Sequence, residues 1–328
     1  MYPSALDSAC GMEEGTCILC PKGASPPPFL HSTEGGETFV YRRCPSCGMV
    51  FLSPRPDAAE ILGYYRGDYY GGGEKKFRSW IEAPRLSFAW RRVLRSGGFF
   101  PRPGRVLDIG CGQGTYLRLM ASRGWRVEGT ELAEEPARRA MREGVPVSLG
   151  EIREGQFAEG ALDLVTLWQV IEHLRDPAAV LRRIRPMLRK GGMVAVSTPN
   201  VEGLQARVFG GRWFHLDPPR HLYLFSPQTL TRLMREAGFR PVRLGHLSLE
   251  QDPYGWVQGF LNRMPLPEDT LYSFLKSSPR SKTNRNHAAV FNAALAAAGI
   301  FPASLFLSLA TAWRGQGGTL EAYFEKEG

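Results

Sequence analysis

The clearest regularity along the chain begins at Arg105, where short apolar runs alternate with longer segments whose apolar positions recur every three or four residues. The runs RVLDIG, RVEGTEL, PVSLG, LDLVTLW and MVAVSTP read as strands; TYLRLMASRG, EEPARRAMREG and PAAVLRRIRPMLRKGG read as the helices between them. Strands joined through helices pair in parallel, with the helices covering both faces. A further helix, SPQTLTRLMREAGF, carries a serine cap and a proline in its first turn, and it leads to the strand RPVRLGHLSL. TLEAYFEK reads as a last strand. The expected fold class is α/β, a doubly wound and mostly parallel seven-stranded sheet.

The same patterning divides the rest of the chain. Residues 1–56 read as a tail and a turn-rich, cysteine-paired module, and 57–104 as an aromatic, arginine-rich linker ending in a helix. The core takes 105–250, a hydrophobic helical insertion 251–316, and the last strand 317–328. Within the insertion, 26 residues from Ala288 to Trp313 carry no charge. Pro302 divides this run into arms of 14 and 11 residues. At 1.5 Å per residue each arm is about 20 Å long, too short for ~30 Å of hydrocarbon. The expectation is a helical hairpin that packs on the protein as a lid, forms a homodimer face, or dips into a membrane surface. In the last case Arg280, Lys282, Arg285 and Arg314 would meet anionic headgroups.

Net charge changes this picture little. The chain is +9, but its 34 arginines are spread along its whole length, so a nucleic-acid partner is not favoured. The N-terminus lacks a basic start followed by an apolar run, which predicts a cytoplasmic chain, peripheral to a membrane if 288–313 touches one. Cytoplasmic cysteines stay reduced, so the six cysteines call for a metal or catalytic reading first. Cys17 and Cys20 form one C-x2-C pair and Cys44 and Cys47 another, with 23 residues between them. Four thiolates so spaced close tetrahedrally on a structural zinc and leave no position for a water. Cys10 is left as an unpaired tail residue.

Gly110, Gly112 and Gly114 sit where a strand turns into a helix, where a ligand can approach the backbone. The spacing is GxGxG rather than GxGxxG, and Asp108 precedes it. A carboxylate there repels a pyrophosphate and suits a cationic ligand. Glu131, ending the next strand, is placed to accept ribose hydroxyls. In series, DIGCGQG, GTEL, LDLVTLWQVIEHL and LRKGGMVAVSTPN resemble the successive motifs of class I S-adenosylmethionine-dependent methyltransferases, over residues 105 to about 245. YRRCPSCGMVFLSPRP similarly resembles the knuckle preceding many bacterial small-molecule methyltransferases.

The resemblance implies a Rossmann-like methyltransferase fold. Asp108, Gly110, Gly112 and Gly114 would line the methionine part of S-adenosyl-L-methionine, Glu131 and Leu132 the ribose, and Glu151 and Ile152 the adenine. Trp168 and Gln169 would flank the methyl group. Quinone-type members carry an acidic residue at the place of Gln169, three before the Glu-His pair, and that group can hold magnesium; an amide is a poorer ligand, which predicts metal-independent chemistry. Cys111 has no basic partner in the sequence and is not read as a nucleophile. For a general base, His221 in RWFHLDPPRHLYLF and His173 in QVIEHLRDP both follow strand ends, with His215 a weaker third. The leading reading is methylation of a small or lipid-linked metabolite at oxygen, carbon or nitrogen. An RNA methyltransferase and a non-catalytic cofactor-binding regulator are its alternatives.

Overall fold

Aliphatic and β-branched residues buried on both faces form the centre of the molecule, described by a computed structural model over residues 11–20, 26–34, 36–65, 79–266, 269–275 and 287–328. The N-terminal part supplies β1 (Met12–Glu13), β2 (Pro28–Glu34), β3 (Glu37–Arg43), β4 (Val50–Leu52), β5 (Arg55–Pro56), a 3-10 turn at Glu60–Tyr65 and α1 (Ser79–Gly97). The core follows as β6 (Arg105–Ile109), α2 (Thr115–Ala121), β7 (Arg126–Glu131), α3 (Glu134–Arg142), β8 (Val147–Leu149), β9 (Leu162–Trp168), α4 (Pro177–Met187) and β10 (Leu188–Pro199). It continues through α5 (Leu204–Phe209), β11 (Tyr223–Leu224), α6 (Pro227–Glu236) and β12 (Phe239–Gly245). Last come α7 (Asp252–Leu261), α8 (Thr270–Leu275), α9 (His287–Trp313) and β13 (Thr319–Lys326).

The main sheet has seven strands in the order β12-β13-β10-β9-β6-β7-β8. The five from β10 to β8 are parallel, and β13 runs antiparallel between β10 and β12, so the fold is the mostly parallel one the patterning predicts. One boundary differs. The helix expected over 177–192 ends at Met187, with Pro186 in its last turn, and Leu188 already pairs with Leu162 of β9. The ladder resumes at Met193↔Leu164 after an irregular stretch.

The cysteine-bearing module does not close on itself. Its four-stranded sheet has the order β11-β4-β3-β2, and β11 belongs to the core. Tyr223 pairs with Phe51 and Leu224 with Val50, while the Leu52 N–H donates to the Leu222 carbonyl at 3.0 Å. Tyr41 of β3 is fully buried, its hydroxyl 3.0 Å from the Leu216 carbonyl and 2.9 Å from that of His221. The expected boundary after residue 56 is thus a chain boundary within one shared sheet.

The hairpin expected at 288–313 is instead one unbroken helix, α9, with Pro302 inside it. Proline in a helix interior costs about 3 kcal/mol in lost hydrogen bonding and steric conflict. Here Pro302 and Ala298, whose carbonyl loses its donor, both lie on the exposed side. The opposite side keeps helical register across the proline, burying Ala289, Ala293, Ser304, Ser308 and Thr311. Packing of that face on α7 and α8 overrides the local signal.

Candidate functional site

The carboxyl ends of β6, β7, β9 and β10 converge on one edge, the place where parallel sheets hold ligands. Gly110, Gly112 and Gly114 have φ of 68°, 55° and 72°, the left-handed region that favours glycine. A Cβ on Gly110 would lie 2.7 Å from Val170 Cγ2, whereas one on Gly112 would meet no protein atom within 4 Å. The backbone of Gly112 is therefore open for a ligand to rest on.

Two carboxylates flank this loop. Asp108 is buried at the end of β6 and accepts the Thr166 hydroxyl at 2.5 Å; burial pushes its carboxyl up to about 7, against the pull of that hydrogen bond and of the Arg92 guanidinium. Glu131 accepts the Gly112 N–H and the Ala133 N–H, both at 2.9 Å, which fixes the end of β7 beside the loop. Leu132 is exposed beside it. The two residues expected at an adenine separate: Ile152 is buried in the core, while Glu151 is exposed and lies 3.7 Å from Arg183 of α4. Cys111 is buried and its thiol is raised by burial, as an inert structural cysteine should be.

Trp168 ends β9, with the Arg92 guanidinium 5.3 Å from its ring centre. Gln169 follows at φ 57°, a strained backbone for a side chain with Cβ. Its amide donates to Ser197 Oγ at 3.0 Å, and the Glu-His pair begins three residues on. That strain was not readable from the sequence.

Gln169 also lines a cavity of about 820 Å³ whose wall includes His173, His215, Asp217 and His221. Both histidines expected as bases thus reach one space, at the strand end nearest the glycine loop. Their rings are 4.5 Å apart, edge to face. The His221 ring is buried and donates from Nδ1 to the His215 carbonyl at 2.9 Å; burial, with His173 beside it, lowers it to about 3. His173 is half-buried, with Nδ1 3.0 Å from both the Arg220 carbonyl and the Tyr65 hydroxyl. A carbonyl can only accept, so that contact places the hydrogen on Nδ1 and leaves Nε2 basic. Asp217, at φ 42°, is ion-paired with Arg220; burial raises its carboxyl, but the guanidinium more than offsets this and holds it at about 2.

Among the described residues, two groups of side chains could hold a metal. The four sulfurs of Cys17, Cys20, Cys44 and Cys47 lie within 4.8 Å of one another, joined by no disulfide and shaped by a knuckle in which the Gly48 N–H donates to the Cys44 carbonyl at 2.9 Å. This donor set fits zinc. Sequence reasoning missed the second group, Glu172, His173 and His221, whose ligand atoms also lie within 4.8 Å. Glu172 is fully buried, and burial pushes it up to about 8. No sequence signal joins residues 48 positions apart; the pairing is made by the loop that β11 anchors. Cys10 lies outside the described residues.

A family profile described as "Methyltransferase domain" matches residues 79–244. The "Ubiquinone biosynthesis O-methyltransferase" of Aeromonas salmonicida is 34% identical over 157 residues, covering 44% of this chain and 65% of that protein. The protein of the same name from Chromobacterium violaceum is 31% identical over 214 residues, covering 61% of this chain and 86% of its own. The Aeromonas match, like the Pseudomonas aeruginosa matches at 63%, spans less than two thirds of the relative's length. Among solved structures, the [4+2]-cyclase SpnF has a TM-score of 0.50 at 19% identity, over 82% of this chain and 90% of that one. That likeness shows the fold alone.

Proposed function

This chain belongs to the methyltransferase-domain family, of the class I S-adenosylmethionine-dependent kind, and on that premise we propose that it methylates an ionisable hydroxyl of a small or lipid-linked metabolite. The observation that carries the reading is the 820 Å³ cavity, which joins Gln169, beside the glycine loop, to His173 and His221. It is of the size of a small-molecule site and is partly aromatic, with Phe214, Tyr254 and Tyr272 in its wall. The relatives' printed name, an O-methyltransferase of ubiquinone biosynthesis, supports oxygen as the acceptor atom.

S-adenosyl-L-methionine, when bound, supplies a methyl on a sulfonium. The chain's own residues hold and orient. Gly112 gives a backbone surface, Asp108 a carboxylate for the cationic end, and Glu131 a carboxylate at ribose height. His173 Nε2 takes the acceptor's proton, because it is the half-buried member of the pair, and His221 packs against it and keeps its ring in place. Placing a base and an acceptor in line is most of what such a displacement needs. The four cysteines hold a structural zinc.

Calorimetry with S-adenosyl-L-methionine tests the first half; no heat at millimolar cofactor would overturn it. With a phenolic acceptor that the wild type turns over, His173→Gln should lower kcat by roughly 100-fold or more while leaving cofactor affinity unchanged. A variant with unaltered kcat removes His173 from this role.

A second reading rests on the Glu172, His173 and His221 cluster, which would hold a divalent ion. Magnesium prefers oxygen donors and fits two imidazoles poorly, whereas a borderline transition ion fits them well. Elemental analysis decides: about one zinc per chain supports the cysteine site alone, and a second metal that Glu172→Gln abolishes supports this one.

A further inference from the structure

We propose that α9 is a membrane-seating helix that lies flat in the interface of an anionic lipid bilayer. Its large apolar residues mostly point outward. The inner side is built of small residues, Ala289, Ala293, Ser304, Ser308 and Thr311, with Ile300 and Leu307 half-buried beside them, while the outer side carries Phe291, Leu295, Leu305, Phe306, Leu309 and Trp313. Phe291 is 68% exposed, Phe306 70% and Trp313 86%. The inner hydroxyls are bonded to their own helix: Ser304 to the Phe301 carbonyl at 2.6 Å, Ser308 to that of Ser304 at 2.7 Å, and Thr311 to that of Leu307 at 2.7 Å. A helix surrounded by water places its large apolar residues inward. This one places them where only an apolar surrounding stabilises them.

Charge points to lipid as the occupant. Across 26 residues the helix has none. Its bare C-terminal end carries Trp313 and then Arg314, the pairing of an amphipathic ring with a cation that suits a headgroup boundary. The sequence just before the helix adds Arg280, Lys282 and Arg285, and the chain as a whole is +9. A protein interface has an apolar centre inside a polar rim, whereas this strip is largely apolar along its length, and the charged residues next to it in the sequence are basic.

Orientation follows from the packing. Twenty-seven residues make a helix of about 40 Å, ample to cross a bilayer, but the inner face is held by Val257 and Leu261 of α7 and Leu271 of α8. It therefore seats in the plane, its outer face sinking ~5–10 Å into the headgroup and acyl boundary. Tyr254 of α7, Asn262 at its C-terminal cap and Tyr272 of α8 line the acceptor cavity. A two-helix wall thus separates that cavity from the seated face, and a lipid-linked acceptor would be drawn from the same leaflet. That last link rests on the proposed function; the seating itself does not.

The test is flotation of the full chain with vesicles of equimolar phosphatidylglycerol and phosphatidylcholine, beside light scattering without lipid. The wild type should float, and the combined Phe291→Ser, Phe306→Ser and Trp313→Ser variant should lose roughly tenfold or more of the bound fraction with its cofactor affinity intact. As a second readout, brominated lipid should quench the emission that differs between wild type and Trp313→Phe. Wild type left at the bottom of the gradient, or no quenching of Trp313, overturns the proposal. So does a dimer in light scattering that the triple variant splits, which would make the face an interface between copies. Loss of cofactor binding together with vesicle binding intact would instead count against the proposed function alone.

Discussion

At the residue scale, the cofactor role proposed for Asp108 makes binding depend on pH. Burial holds its carboxyl at about 7, so the free protein carries it largely neutral below that pH, while a cationic ligand favours the ionised form. Affinity for S-adenosyl-L-methionine should therefore rise by up to about tenfold per pH unit below 7 and level off above it, with a proton released on binding. Calorimetry in buffers of different ionisation enthalpy reads this directly, and Asp108→Asn should flatten the profile. The same shift acts on stability with a definite sign. A carboxyl raised above its unfolded value of 3.8 stabilises the fold fully only below that value, and its contribution is lost as pH rises through about 7. Cofactor binding should recover part of this loss. Gly112 makes a second prediction. Alanine at φ 55° costs about 1 kcal/mol of stability, while its methyl enters the space left for the ligand, so Gly112→Ala should fold, melt slightly lower and bind cofactor at least tenfold more weakly. The glycine loop was legible in the sequence because its chemistry is local: a strand, a tight turn and a helix within a dozen residues. The strain at Gln169 was not, because a backbone angle at a strand end is set by what packs around it.

At the scale of elements, the cysteine module and the acceptor loop act as one piece. Tyr41 holds the carbonyls of Leu216 and His221 together, and β11 locks Tyr223 and Leu224 onto β4. Tyr41→Phe strands two buried acceptors and should cost about 1–3 kcal/mol, seen as a lower melting temperature with cofactor affinity unchanged. Stripping the zinc proposed for the four cysteines with a chelator should do the same more strongly, raising hydrogen exchange over 214–224 while sparing the glycine loop. Exchange confined to residues 11–56 would show that the shared sheet does not transmit the loss. The strands and helices of the core were legible because their periodicities are strong and regular. Sharing β11 was not, since two residues, YL, give no pattern to read. Likewise α9 was divided at Pro302 by a rule that concerns the backbone alone, whereas its inner face is held by α7 and α8, which the rule does not see.

At the scale of the molecule, the parallel sheet gathers the glycine loop and the strand ends around it on one edge, and the segments flanking the core close the cavity beside it. Tyr64 and Phe88 come from before the glycine loop, and Tyr254 and Tyr272 from after β12. The family profile, ending at 244, takes in Phe88 but neither Tyr64 before it nor the two later tyrosines. The glycine loop was therefore legible and the cavity wall was not: the loop follows a motif series, while the wall is assembled from distant segments with no shared pattern. Exchanging cavity residues such as Phe214 for alanine should therefore raise KM for the acceptor with little change in cofactor affinity, a split that steady-state kinetics against each substrate resolves.

The pairing of Leu224 with Val50 sets an order of events during synthesis. A ribosome releases the cysteine pairs early, yet the strand that completes their sheet emerges 174 residues later, 224 minus 50. Until then the nascent module shows β4 as an open edge, a template for the wrong neighbour. Early capture of metal by the four thiols would hold that half-built sheet in shape through the wait. Growth of an expressing culture in metal-depleted medium should then shift the protein into aggregates, even if metal is restored after the chain is complete.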